Sequence, residues 1–306
     1  MTRQLPGPAL GRLAEVHDVE VWPLWLPPTR KELTDHVQSA EGLLSLLTDR
    51  VDAVLIAQAP LLVAISNYAV GYDNIDLEAA AARGIPVGHT PDVLTEATAD
   101  LTFALLLAAA RKLVDGIEEV RSGRASPWEP AHNLGVDVHG ATLGIIGFGR
   151  IGRAVARRAD GFAMEVLTAS SRSHPRAVQE LLEVSDFVSL HCPLTPETFH
   201  LIDAAALERM KPTAILINTS RGPIVDQDAL AEALHQGAIA GAALDVTDPE
   251  PLPASDPLLA APNLIVVPHI GSATHATRER MADLAVDNLL AALDGQPMPH
   301  QVPVAP

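Results

Sequence analysis

From Ala141 onward two patterns of apolar and polar positions alternate. The runs "TLGIIG", "EVLTA", "FVSLHC", "AILINTS", "GAALDV" and "LIVVPH" are short, apolar or β-branched, and bounded by Gly, Pro, Asp or Ser. Their near-continuous hydrophobicity predicts strands covered on both faces. Between them, "RIGRAVARRAD", "VQELLEVS", "AAALERM" and "DQDALAEALHQG" place apolar residues at three- and four-residue intervals, the spacing of one helix face. This alternation predicts a doubly wound parallel sheet. The first 90 residues repeat the rhythm less clearly, with "DVEVWPLWL", a helical "TRKELTDHVQSA", then "GLLSLL" and "LLVAISN". Two long helical patterns, over 95–112 and 276–293, are expected to carry the chain into a second domain and back. The expected division is 1–93 plus 275–306 against 94–274, with a ligand-binding cleft between the two domains.

Composition narrows the class. The 306 residues are enough for two ordinary domains, and 48% hydrophobic with 19% charged residues describes a folded chain. Lys and Arg total 21 against 38 Asp and Glu, a net charge of −17, the wrong sign for a nucleic-acid binder. Cys192 is the only cysteine, so no intrachain disulfide or cysteine-based zinc site can form and no metal is expected. The start has no secretory apolar segment, and the run around "FALLLAAA" ends at Arg111 and Lys112 after about half of what a bilayer span requires. A cytoplasmic protein that uses no membrane is expected. The tail "QPMPHQVPVAP" is Pro-rich and reads as loose.

"GIIGFGRIG" supplies Gly147, Gly149 and Gly152 in G-x-G-x-x-G spacing between a predicted strand and a predicted helix. In that context the glycines allow a tight turn, close approach of a pyrophosphate and helix–strand packing, and the helix N-terminus offers N–H groups to the phosphates. Both domains are read as Rossmann-like, the first from its fainter βαβ rhythm. The end of the next strand reads "LTASSRSHPR", with Ser170, Ser171, Arg172 and Arg176 and no acid from Leu167 to Arg176. A carboxylate there would repel a 2′-phosphate, whereas hydroxyls and a guanidinium attract it, so NADP(H) is favoured and NAD(H) remains open. Glu165, at the start of that strand, reads as a solvated charge.

Seven motifs occur in fixed order at predicted strand ends or helix starts: "ISNYAVGYDNID", "TPDVLTEATADL", "GIIGFGRIG", "HCPLTPET", "INTSRGPIVD", "ALDVTDPEPLP" and "PHIGSAT". Together they resemble the D-isomer-specific 2-hydroxyacid dehydrogenases, in particular their glyoxylate/hydroxypyruvate reductase branch, over nearly the whole chain. The resemblance implies a catalytic set of Arg221, Glu250 and His269, and a 2-oxo or 2-hydroxy acid as substrate. Reducing a 2-oxo acid needs an anion clamp, a hydride donor and a proton donor. Arg221 can hold the carboxylate bidentately, with the N–H groups of Val70 and Gly71 implied to hold it from the first domain. His269 would protonate the ketone oxygen, and Glu250 would fix the imidazole tautomer and favour its protonated form. The same resemblance assigns Asp245 to the nicotinamide end, Pro193, Thr219 and Gly271 to cofactor contacts, and Gly149, Arg150 and Ile151 to the pyrophosphate. Cys192 reads as a small buried residue beside the cofactor. Trp128 of "SPWEP" matches a position that offers an indole to the partner subunit's active site in a homodimer.

Two departures from the family pattern stand out. Relatives carry a short apolar strand before "TR.LP", whereas Met1, Thr2 and Arg3 open this chain; such a strand is normally central, so its absence is expected to open the middle of the first domain, and a true start further upstream is expected. Relatives also carry more residues, including an edge strand, between "SSRSHPRA" and "VQELLEVSDF". The leading expectation is NAD(P)H-dependent reduction of glyoxylate and hydroxypyruvate to glycolate and D-glycerate. The alternatives are a dehydrogenase of the D-3-phosphoglycerate or D-lactate type, or a non-catalytic dinucleotide-sensing protein. A formate dehydrogenase, which has glutamine as the partner of its histidine, is disfavoured by Glu250.

Overall fold

In the first 94 residues, three of the four helices begin where a side chain takes up a free N–H group. The computed structural model, which describes residues 1–170 and 175–303, runs through α1 (Ala9–Ala14), α2 (Arg30–Val37), β1 (Gly42–Ser45), α3 (Ala53–Ala57), β2 (Ala64–Asn67), α4 (Leu77–Ala82) and β3 (Val87–Gly88). Thr29 and Glu32 form a reciprocal capping box at α2, and Asp52 and Asp76 cap α3 and α4. The strands form a parallel sheet in the order β1-β2-β3, with Leu43 beside Ile65 and Ile65 beside Val87. Successive side chains alternate faces. Leu43 and Ile65 pack with Leu33, Val37, Leu55 and Ile56 on one face, while Leu44 and Ala64 belong to a second core on the other.

The "DVEVWPLWL" run is not a strand, against the expectation from its pattern. A strand needs a neighbour that exchanges backbone bonds along its length. Here the run is tied instead by isolated backbone bonds, Trp22 N–H to the Met1 carbonyl at 2.9 Å and the Met1 amino group to the Glu20 carbonyl at 3.0 Å. Leu24, Trp25 and Leu26 lie exposed. A cavity of about 370 Å³ lies in this unit, lined by Met1, Val19, Trp22, Leu43, Leu44 and Leu289 among others.

Residues Thr95–Gly271 form a second unit. Its elements are α5 (Thr95–Ala110), α6 (Leu113–Arg121), β4 (Thr142–Ile146), α7 (Arg150–Ala159), β5 (Glu165–Ala169), α8 (Pro175–Val184), β6 (Phe187–Leu190), α9 (Ala204–Arg209), β7 (Ile215–Asn218), α10 (Gln227–Gln236), β8 (Gly241–Leu244) and β9 (Leu264–Val266). Among the described residues these strands make a six-stranded, wholly parallel sheet in the order β5-β4-β6-β7-β8-β9. Every apolar run from Ala141 onward is one of its strands, and β5 is an edge with no further strand outside it among the described residues. One face packs Leu143, Ile145, Phe187 and Ile217 against Phe103, Leu106 and Val155. The other packs Ile146, Leu190, Leu216 and Leu244 against Leu182, Leu207 and Leu230. Each such buried side chain contributes roughly 1.5–3 kcal/mol relative to exposure. Parallel strands put all six C-terminal ends on one edge, where α/β sheets bind ligands.

The chain returns in α11 (His275–Leu293), capped by Thr274. Its Met281, Ala285 and Leu289 complete the second core of the first unit, which comprises Met1–Leu94 and Ser272–Pro306. Among the described residues no helix is long and apolar enough to cross a membrane.

Candidate active site

The glycine-rich turn between β4 and α7 has the shape its sequence requires. Gly147 holds φ at +101°, and a Cβ there would lie 2.4 Å from the Cys192 nitrogen and the His191 carbonyl carbon. A Cβ on Gly152 would lie 2.3 Å from the Gly147 carbonyl oxygen, so this glycine lets α7 press onto the turn. Gly149 differs, because among the described residues nothing lies within 4 Å of its Cβ position and the N-terminus of α7 has no side-chain cap. An open approach to uncapped N–H groups suits a pyrophosphate. Arg150 and Ile151 are the first residues of that helix, so the residues present fit a dinucleotide.

Three neighbouring strand ends bring together Arg221, Asp245, Glu250 and His269. His269 follows β9 with φ at +53°, a left-handed backbone that a non-glycine residue rarely adopts. Its N–H donates to the Asp245 carbonyl at 2.8 Å. The Asp245 carboxylate accepts the N–H groups of Ile270 at 2.6 Å and Gly271 at 2.9 Å. Asp245 therefore clamps both sides of the turn that presents the imidazole. A Cβ on Gly271 would lie 3.0 Å from that carboxylate. Burial pushes the Asp245 carboxyl above its ordinary pKa, against the pull of the two N–H bonds and of His269.

Glu250, in the loop after β8, has Oε1 2.6 Å from His269 Nδ1. The loop is held by Gln227 of α10, whose amide donates to the Asp248 carbonyl and accepts the Asp248 N–H at 2.8 Å. Arg221 stands just beyond β7. Asn218 fixes its loop, donating to the Arg221 carbonyl at 2.8 Å and accepting the Ser220 N–H at 3.0 Å. The Arg221 guanidinium also donates to the Ser220 carbonyl at 2.8 Å. β7 and β8 are paired, and Asp245 N–H donates to the Asn218 carbonyl at 2.8 Å, which ties the arginine loop to the histidine turn.

The remaining residues singled out in the sequence are more scattered. Val70 and Gly71 lie in the turn after β2 of the other unit, and among the described residues neither N–H has a hydrogen-bond partner. Thr219 is buried, with its hydroxyl 3.0 Å from that of Thr102 on α5. Pro193 follows Cys192, and its carbonyl accepts the Thr198 hydroxyl at 2.7 Å. Burial pushes the Cys192 thiol up to about 11, which leaves it an unreactive thiol at neutral pH. Ser171 and Arg172 lie outside the described residues. Arg176 is engaged with Glu180 one helical turn away, at 2.9 Å, and Glu165 is exposed at the far end of β5. Trp128 is 87% exposed in the segment after α6.

Sequence reasoning missed Asn218, Gln227 and His191. His191 directly follows β6, with Nε2 2.8 Å from the Ser189 hydroxyl, and burial of its ring pushes its pKa down to about 3. "INTSRG" and "LHCP" do hold a polar residue inside an apolar run, and that was the available signal.

The chain has extensive likeness to known proteins. The family model described as "D-isomer specific 2-hydroxyacid dehydrogenase, NAD binding domain" matches residues 103–271. The glyoxylate reductase of Korarchaeum cryptofilum is 49% identical over 313 residues, covering 99% of this chain and 94% of that protein. The TT0316 protein of Thermus thermophilus superposes with a TM-score of 0.91 at 52% identity, over 99% of this chain and 98% of that one. An NADPH-dependent glyoxylate/hydroxypyruvate reductase of Sinorhizobium meliloti, solved with NADP and malonate, superposes with a TM-score of 0.84 at 32% identity, over 98% of this chain and 95% of that one. With a nicotinamide-dinucleotide domain of this architecture and near-complete coverage at such identity, the chain belongs to the D-isomer-specific 2-hydroxyacid dehydrogenase family of oxidoreductases.

Proposed function

We propose that this enzyme reduces glyoxylate to glycolate, and hydroxypyruvate to D-glycerate, with NADPH preferred over NADH. The observation that carries the reading is the 2.6 Å pair of His269 Nδ1 and Glu250 Oε1 on a turn clamped by Asp245, one strand from Arg221. Glu250 occupies Nδ1 and leaves Nε2 to face the substrate, so His269 gives its proton to the ketone oxygen from Nε2. Arg221 holds the carboxylate through two parallel N–H bonds, and the N–H groups of Val70 and Gly71 are further donors to it. The bound nicotinamide supplies the hydride. Gly147, Gly149, Arg150, Ile151 and Gly152 hold the pyrophosphate, with Pro193, Thr219, Asp245 and Gly271 toward the nicotinamide.

The NADP preference rests on the serines after β5, the lack of an acid there, and the NADP bound by the Sinorhizobium relative. A homodimer is part of the same reading, with the exposed Trp128 and Leu134 as a face that a second copy covers. The enzyme works in the cytoplasm. The test measures oxidation of NADPH and NADH in parallel with glyoxylate, hydroxypyruvate, pyruvate and 3-phosphohydroxypyruvate. The expected outcome is the highest kcat/KM for glyoxylate with NADPH. Faster turnover of pyruvate or the phosphorylated acid would move the enzyme to the alternative branches, and no turnover of any would leave a dinucleotide-binding protein.

A further inference from the structure

Three successive carbonyls of the turn after β2 are tied back to the body of the first unit. The Ala69 carbonyl accepts the Thr90 N–H at 2.8 Å. The Val70 carbonyl lies 2.9 Å from His89 Nδ1, and the Gly71 carbonyl accepts the Asn67 amide at 2.9 Å. A carbonyl only accepts, so His89 Nδ1 carries the proton.

A trans peptide group is planar, with its C=O and N–H pointing opposite ways. Holding the Ala69 carbonyl therefore aims the Val70 N–H, and holding the Val70 carbonyl aims the Gly71 N–H. Both N–H groups are without a partner among the described residues. Successive N–H groups that converge on one point form an anion-binding concavity. Thr90 uses its backbone for this purpose, but the Gly71 N–H depends on one side chain.

The side chain is well anchored. His89 follows β3, its N–H donates to the His300 carbonyl at 3.0 Å, and its carbonyl accepts the amide of the fully buried Asn288 at 2.9 Å. The Tyr72 ring meets the imidazole edge-on, with centroids 5.7 Å apart at 75°. Neither the backbone nor the ring of His89 is free to swing.

We propose that His89 is a positioning residue for the substrate carboxylate, setting the direction of the Gly71 N–H through the Val70 carbonyl. This rests on the reading that Val70 and Gly71 hold that carboxylate. His89 touches neither substrate nor cofactor in this role, so its loss weakens substrate capture and spares the chemical step.

The test compares His89→Phe, which keeps a ring beside Tyr72 and removes the donor, with His89→Gln, whose amide can donate to the same carbonyl. His89→Phe is expected to raise KM for glyoxylate about tenfold, the scale of one hydrogen bond that orients a charged ligand, with kcat changed less than about threefold and Kd for NADPH unchanged. His89→Gln is expected to recover most of the loss. A Phe variant that failed to fold would be replaced by His89→Leu, judged by the same KM. An unchanged KM, or a loss of NADPH affinity in step with KM, would overturn the proposal. Backbone amide NMR of the NADPH complex titrated with oxamate separates the two layers. If the Val70 and Gly71 amides do not respond in the unaltered protein, the reading of the turn fails. If they respond while His89→Phe keeps its KM, the role of His89 fails alone.

Discussion

His269 is one of twelve histidines in the chain, and residue type alone says little about it. Its backbone holds a left-handed φ of +53°, and the Asp245 carboxylate secures the next two N–H groups. Rare backbone conformations cost roughly 1–3 kcal/mol and persist only where the surroundings impose them. On the proposed mechanism, His269→Gln removes the proton donor but leaves the glycine-rich turn untouched. Turnover is expected to fall by about two to four orders of magnitude, the usual range for a general acid, while NADPH still binds. Stopped assays of kcat and fluorescence titration of the cofactor check this, and near-normal kcat would rule out His269 as donor. Arg221, Glu250 and His269 could be named as candidates from the sequence because the motifs "TSRG", "DPEP" and "PHIG" carry the family resemblance. Asn218, Gln227 and His89 could not, because each acts on a backbone group whose position depends on folding. His89, for example, reaches the Val70 carbonyl from the end of a different strand.

At the scale of elements, the strand–turn–helix of β4 and α7 shows how three glycines in one motif do different work. Gly152 faces the Gly147 carbonyl at a distance no Cβ tolerates, whereas Gly149 faces open space. Gly152→Ala is expected to destabilise the second unit by about 1–3 kcal/mol, the usual cost of overpacking, and to weaken cofactor binding with it. Gly149→Ala is expected to leave the thermal midpoint of the free protein nearly unchanged and to lower NADPH affinity at least tenfold, because the added methyl stands where the pyrophosphate would approach. Thermal unfolding with calorimetric titration distinguishes the two, and equal effects of both variants on stability would contradict the assignment. Continuous apolar runs identified all six strands of this sheet, since a strand buried on both faces leaves a clear signature. "DVEVWPLWL" has a similar pattern and forms no strand, because strand formation depends on a neighbour that pattern does not reveal.

Across the whole molecule, the titration of buried groups sets a pH dependence. The folded His191 has its pKa pushed down to about 3 from an ordinary value of 6.5, although part of the residue still meets solvent. Between those values the unfolded chain binds a proton that the native state does not. Stability is therefore expected to fall as pH drops below about 6.5, by at most about 1.4 kcal/mol per pH unit from this group. Asp245 acts in the opposite sense, since its raised pKa means that stability falls as pH rises from 3.8 through the folded value, and it offsets part of the acid loss. Urea midpoints at pH 7 and pH 5 should differ less in His191→Asn than in the unaltered protein, and an equal difference would show that His191 is not the group responsible. By itself the sequence determined the βαβ rhythm, the strands of the second unit, the dinucleotide turn and the identities of the residues at the strand ends. These follow from local periodicity and from residue types with few chemical uses. Only the tertiary structure decided that Glu250 meets His269, that Asp245 clamps its turn, that His89 aims the Gly71 amide and that an apolar run near the N-terminus stays out of the sheet. Each of these depends on groups distant along the chain arriving within hydrogen-bond range, and such distances come from packing.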